Sequence, residues 1–327
     1  MKKNFIFVMM ALAVFSLLTA CSKTEEVNIG ISKIVQHVAL DAVEQGIVDG
    51  LDAKGVKANF DLQNANGDMS TAAQIAGKFK AEKVNVAVGI ATPTAQALAN
   101  AIKDIPIVFA TVTDPIGAGL VTTLEHGEGN ITGLSDALPV DYHISLFKEI
   151  AGIKSLGYIY TSSEANSISA LNQVDNACRN NGIELVVQAI TTSADIRQAA
   201  QAIIDRVDGL YLTTDNTVFS GLSAIISVFK TAKKPIFSGD VTGALGGGCM
   251  IASGFDYYKA GIACADIIYQ ILQGAKPSDI PVKLLSLPSE TDFLLDLDAA
   301  ANCGITINEN YIMQANKIFE NGKLSEK

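Results

Sequence analysis

The sequence has no Trp and only three His in 327 residues. The lack of Trp argues against a pocket that stacks sugar rings on broad aromatic faces. His37, His126 and His143 do not cluster. The five cysteines, Cys21, Cys178, Cys249, Cys264 and Cys303, form no C-x-x-C pair, so a metal centre has no support. There is no G-x-S-x-G elbow, no H-E-x-x-H helix and no Walker sequence, which leaves hydrolase, zinc-protease and nucleotidase chemistry without a motif. The glycine-rich "GALGGGC" (Gly243 to Cys249) lacks dinucleotide-fingerprint spacing and precedes a strand, so it reads as a turn. Bases are outnumbered by acids, 24 to 34, for a net charge of −10; such a surface repels nucleic acid. No cofactor is expected.

What is present begins with "MKKNFIFVMMALAVFSLLTACSK". Lys2 and Lys3 precede an apolar run from Phe5 to Leu18, then small residues lead to Cys21. This is the layout of a secretory signal, and the run is shorter than the ~20 residues that span a bilayer. "LTAC" resembles the lipobox of bacterial lipoproteins, which implies a lipid on Cys21 and a signal over residues 1–21. Residues 22–26 then form a polar tether, and the lipid anchors the chain without crossing the membrane. The expected location is extracytoplasmic, in the periplasm or on the outer cell surface. A disulfide is permitted there, but the four scattered cysteines of the mature chain read as small buried side chains.

The mature chain alternates short apolar strands with amphipathic helices. Strands start at Val27, Lys57, Val84 and Ile105, with helices over 40–54, 70–82 and 93–102 between them. Near-continuous apolar strands are expected where both faces of a parallel sheet are covered. The pattern then repeats from Ser155, with a helix over 217–232. Gly55 matches Gly182 at an offset of 127 residues, and Pro106 matches Pro235 at 129. A later strand from Cys249, a helix over 256–274, an extended segment from Pro281 and a terminal helix exceed what the second half needs. The reading is α/β: two doubly wound parallel-sheet lobes with a ligand cleft between them. Lobe 1 takes 27–135 plus 256–285, and lobe 2 takes 136–255 plus 286–327.

Ligands of open α/β sheets bind beyond the carboxyl ends of the strands. Those corners carry Ser32, followed by Gln36 and His37, then Thr92, then Thr111, Thr113 and Asp114 in the first half. In the second they carry "TSSEANS" with Asn166, "TTDN" with Asp215 and Asn216, and "SGD" with Asp240. Each is also a good cap or turn residue. Collectively, hydroxyls and helix amino termini in lobe 1 suit a carboxylate, and acids in lobe 2 suit an ammonium. A small zwitterion between the lobes fits both. Phe109, Phe219 and Phe255 are available as walls, although apolar strand-end residues are usually core.

"ALDAVEQGIVDGLDAKG", "GIATPTAQALAN", "PIVFATVTDPIGAGLV", "NITGLSD", "YTSSEANS", "TTDNTVFS" and "KPIFSGD" together resemble the ABC-transporter substrate-binding lipoproteins linked to tryptophan and tyrosine uptake, of the type I periplasmic-binding-protein fold. The resemblance runs from about Val27 to about Gly304. It implies a monomeric receptor, not an enzyme, that closes by hinge motion on an amino acid, aromatic ones favoured, and delivers it to a membrane permease. It implies ligand contacts at Thr92, Thr111 to Asp114, Asn166, Asp215, Asn216 and Asp240. Thr92 and amides near Thr111 would take the carboxylate, and Asp240 or Asp215 the ammonium. Hinge crossings are expected near 133–140, 253–258 and 283–292. A sensor for a membrane signalling partner and an extracytoplasmic enzyme using Asp215 and Asp240 are the rival readings.

Overall fold

The computed structural model describes residues 26–285 and 291–327. The signal, Cys21 and most of the tether lie outside the described residues.

The first series runs β1 (Val27–Lys33), α1 (Val38–Ala53), β2 (Ala58–Asn64), α2 (Met69–Glu82), β3 (Val86–Ile90), α3 (Thr92–Ala101), β4 (Ile107–Ala110) and β5 (Ile131–Ser135). These strands pair in parallel in the order β5-β4-β3-β1-β2. Every residue of β3, β4 and β5 is buried, which is why their sequences carry no alternation.

The second series runs α4 (Val140–Ala151), β6 (Ser155–Thr161), α5 (Ala165–Asn181), β7 (Glu184–Ile190), α6 (Ile196–Ile203), β8 (Gly209–Leu212), α7 (Asn216–Ser220), α8 (Leu222–Ala232), β9 (Ile236–Ser238) and β10 (Ile251–Phe255). Its strands are parallel in the order β10-β9-β8-β6-β7. Gly182 ends α5 at φ +63°, a left-handed cap that a side chain would disfavour. The helix expected over 217–232 is two helices broken at Gly221, where an added Cβ would lie 2.4 Å from Ile196 Cδ1.

The chain then returns. α9 (Tyr257–Leu272) packs along α1, and β11 (Lys283–Leu284) joins β5 in parallel, completing a six-stranded sheet. The approach of α9 to α1 depends on missing side chains: a Cβ on Gly46 would lie 2.2 Å from the Tyr258 carbonyl oxygen, and one on Gly261 2.3 Å from that of Val43. β12 (Thr291–Asp296) adds antiparallel to β10, followed by α10 (Leu297–Asn302), α11 (Glu309–Gln314), β13 (Lys317–Glu320) and β14 (Lys323–Glu326), making the second sheet eight-stranded. The expected terminal helix is therefore followed by a hairpin. Its turn is Asn321-Gly322, both at positive φ, the dipeptide that a two-residue hairpin turn prefers.

The chain thus passes between the sheets at 136–139 and at Asp256, and β11 and β12 belong to different sheets. Cys178, Cys249 and Cys264 are buried free thiols, and burial pushes Cys178 up to about 12. Among the described residues, no group of side chains is placed to hold a metal ion, and no helix is long and apolar enough to cross a membrane.

Candidate ligand-binding site

Ser32 pairs in register with Gly89, and Gly89 with Phe109, so β1, β3 and β4 end side by side. Two non-glycine residues here hold left-handed backbone: Ala91 at φ 75°, ψ 160° and Thr111 at φ 54°. Ala91 occupies a region that is almost exclusively glycine's, and strain of this kind, of order 1–3 kcal/mol, concentrates at functional sites. Ala91 launches α3, whose first residue is Thr92 and second is Pro93. Thr92 Oγ1 and Ser32 Oγ are buried and make no hydrogen bond. The corner therefore carries two unused hydroxyls beside a helix amino terminus, whose first N–H groups have no intrahelical acceptor.

Four buried acids lie at strand ends of the second series or in the crossing segment. Asp215, at the carboxyl end of β8, accepts from Thr161 N (2.6 Å), Thr161 Oγ1 (2.7 Å), Ser167 Oγ (2.7 Å) and Val218 N (2.9 Å). It caps α7 and ties it to β6 and α5, so both of its oxygens are occupied. Burial, and then the neighbouring Glu164 carboxylate, raise its pKa. Glu164 accepts from Asn216 Nδ2 (2.5 Å), Thr217 Oγ1 (2.7 Å) and Thr217 N (3.1 Å). Asp240 accepts from Gly243 N at 3.1 Å through Oδ1, and burial pushes its carboxyl up to about 7. Asp136, in the first crossing, accepts from Thr113 Oγ1 and Tyr257 Oη, each at 3.0 Å, and burial pushes it up to about 6. Among the described residues no Lys, Arg or His forms an ion pair with any of the four.

Asp136, Asp215 and Asp240 line one narrow cavity, with about 10 Å³ open to water, together with Thr111, Thr214, Asn216 and Tyr257. His37 and Phe219 form its aromatic wall, ring centroids 6.2 Å apart. The two sheets' elements touch around it: Thr113 Oγ1 lies 2.8 Å from Thr214 Oγ1, and Ser169 Oγ donates to Asp114 Oδ2 at 2.7 Å. The arrangement is a small interlobe chamber lined by three buried acids without a cationic partner; Ser32 and Thr92, with their unused hydroxyls, lie outside its lining.

Residues 28–319 match the family model described as ABC transporter substrate binding protein. The chain belongs to this family. A tyrosine-binding protein of Clostridioides difficile (strain R20291) is 35% identical over 303 residues, covering 86% of this chain and 87% of that protein. An ABC domain from Streptococcus pneumonia, solved in complex with L-Trp, is 32% identical, with a TM-score of 0.85 over 90% of this chain and 100% of that one. The ligand-free, open structure of a substrate-binding protein with adhesive properties from Clostridium difficile is 35% identical, yet its TM-score is 0.65 over 87% of this chain and 97% of that one. The fold of this substrate-binding protein is the type I periplasmic-binding-protein fold, and its relatives bind solutes rather than transform them.

In this substrate-binding protein, Thr111, Asp215, Asn216 and Asp240 line the chamber, and Ser32 and Thr92 sit in the adjoining lobe-1 corner. Thr113 and Asp114 bridge the lobes. Asn166 donates to Thr214 O at 3.0 Å and leaves Oδ1 buried without a partner. Gln36 is exposed and does not line the chamber. Phe219 is a wall, whereas Phe109 and Phe255 are core. Sequence reasoning did not assign a role to His37, Asp136, Glu164 or Tyr257. Asp136 ends the "NITGLSD" motif at the close of β5, so the strand-end rule reaches it. Tyr257 opens a helix that returns from the other lobe, and nothing local to its sequence marks it.

Proposed function

We propose that this substrate-binding protein is the lipid-anchored, extracytoplasmic receptor of an amino-acid importer, that it binds an aromatic amino acid as a zwitterion, and that it hands the cargo to a membrane permease as a monomer. The carrying observation is a chamber lined by Asp136, Asp215 and Asp240 with no cation beside them, while Ser32 and Thr92 keep unpartnered hydroxyls at the ends of β1 and β3. Buried carboxylates without a counter-charge are costly, and an ammonium group supplies that charge. Asp240 and Asp136 have acceptor capacity for it, while Asp215 spends its oxygens inside the protein and acts by shaping α7. Ser32 Oγ, Thr92 Oγ1 and the α3 amino terminus suit the carboxylate. The better superposition on the L-Trp complex than on the open relative, at similar identity, supports reading the present arrangement as closed.

A thermal-shift panel of amino acids, nucleosides and sugars on the chain from residue 22 tests this. Tyr or Trp at a hundred times its Kd stabilises by about 2.7 kcal/mol, well within detection. A response to sugars or nucleosides with none to amino acids overturns the reading.

A further inference from the structure

Resting on the amino-acid reading above, we propose that His37 is a specificity-determining residue that selects aromatic ligands with a polar tip, hydroxyphenyl or indole, over phenyl. His37 lies between β1 and α1 and lines the chamber opposite Phe219. Both of its ring nitrogens are buried, and neither makes a hydrogen bond of good geometry, although the Asn216 side chain approaches closely enough for a weak one. Burial holds the imidazole down to about 4, against the opposing pull of Asp41 and of the nearby Asn216 amide. The ring is therefore neutral at pH 7, with one N–H donor and one lone-pair acceptor.

A buried donor and a buried acceptor left unsatisfied by the protein are filled by ordered water or, in a binding chamber, by a polar group of the ligand. The two charged ends of an amino acid already have matches elsewhere in the site. What remains for a neutral imidazole beside a phenyl ring is a neutral polar group on the edge of an aromatic side chain. A phenolic hydroxyl donates to one nitrogen or accepts from the other, and an indole N–H donates to one. A phenyl ring satisfies neither and buries both unpaired. Sites built to hydrogen-bond a ligand hydroxyl reject the analogue without it far more strongly than apolar pockets reject a small change in size.

Calorimetric titration of the purified protein with L-Tyr, L-Trp, L-Phe and O-methyl-L-tyrosine tests the proposal without a mutation. Tyr is expected to bind at least about tenfold tighter than Phe, with the O-methyl ether, which cannot donate, falling below Tyr. In His37→Leu the Tyr-to-Phe ratio should collapse to within about twofold, and His37→Gln, which keeps a donor and an acceptor, should retain part of it. Equal affinity for Tyr and Phe in the unmodified protein overturns the proposal. So does a His37→Leu variant that weakens both ligands equally, because that assigns His37 to the shared charged end. Failure of every aromatic amino acid to bind removes the amino-acid reading together with this one, whereas aromatic binding without discrimination removes this one alone.

Discussion

Thr113 and Thr214 meet hydroxyl to hydroxyl at 2.8 Å across the gap between the two sheets, while Thr113 also donates to Asp136 at 3.0 Å. One side chain thus links lobe contact to an acid of the chamber wall. On the hinge-closure proposal, a bond of this kind forms as the lobes meet and is lost when they part, so it stabilises the closed state and lessens the differential affinity that the ligand must supply.

Thr214→Val should therefore weaken ligand binding without disturbing Asp136. A neutral hydrogen bond contributes about 0.5–1.5 kcal/mol, which corresponds to roughly a two- to tenfold rise in Kd by calorimetry. Ser169→Ala removes the second bridge, to Asp114, and should act in the same direction. Unchanged Kd in both variants would mean that these bridges do not contribute to closure.

Asp240→Asn and Asp136→Asn keep shape and remove charge. Each should raise the Kd for an amino acid more than tenfold, since a charge-assisted hydrogen bond is replaced by a neutral one. The ligand-free variants should melt no lower than the parent, because a buried carboxylate without a cation costs stability. Asp215→Asn should behave differently. It disturbs an acid with four internal donors, and its first effect should be a lower melting temperature.

The pH dependence separates these acids from the histidines. Folding raises the Asp240 carboxyl from 3.8 to about 7, so between about pH 4 and pH 7 the folded chain holds a proton that the unfolded chain releases. Its contribution to stability falls as pH rises through that window. At ~1.4 kcal/mol per pH unit the ceiling is roughly 4 kcal/mol. His37 and His143, held down to about 4 and about 3 by burial, have the opposite sign: their stability contribution grows as pH rises toward 6.5. The melting-temperature difference between Asp240→Asn and the parent isolates the acid. It should widen from about pH 4 to about pH 7 and then level, and a flat difference would show that Asp240 is ionised throughout.

Gly261→Ala tests the seam between α9 and α1. Alanine gains about 1 kcal/mol of helix propensity over glycine. Its Cβ would lie 2.3 Å from the Val43 carbonyl oxygen and 2.8 Å from Gly46 Cα, backbone atoms that move only with the whole helix. Overpacking of this sort costs about 1–3 kcal/mol. The steric term should win, with a melting temperature several degrees lower and β11 less protected from amide exchange.

The twin α/β organisation was legible in the chain because its signals are local. Apolar runs such as "VAVGI" and "IVFA", the cap at Gly182 and the prolines before β4 and β9 act over a few residues, and strand ends mark where ligand groups gather. Thr111, Asp215, Asn216 and Asp240, which line the chamber, stand at or just beyond such ends. The Asn321-Gly322 turn was an equally local signal, yet the helix before it drew attention away from the hairpin. What tertiary structure alone decided is which polar groups remain unspent. Asp215 is occupied because Thr161 and Ser167, 54 and 48 residues away, reach it. Asp136 meets Tyr257 across 121 residues, and His37 finds Phe219 from the other lobe. Composition and periodicity name the donors and acceptors a chain owns, but pairing among them is set by packing between distant segments, and a binding site is made of those that packing leaves over.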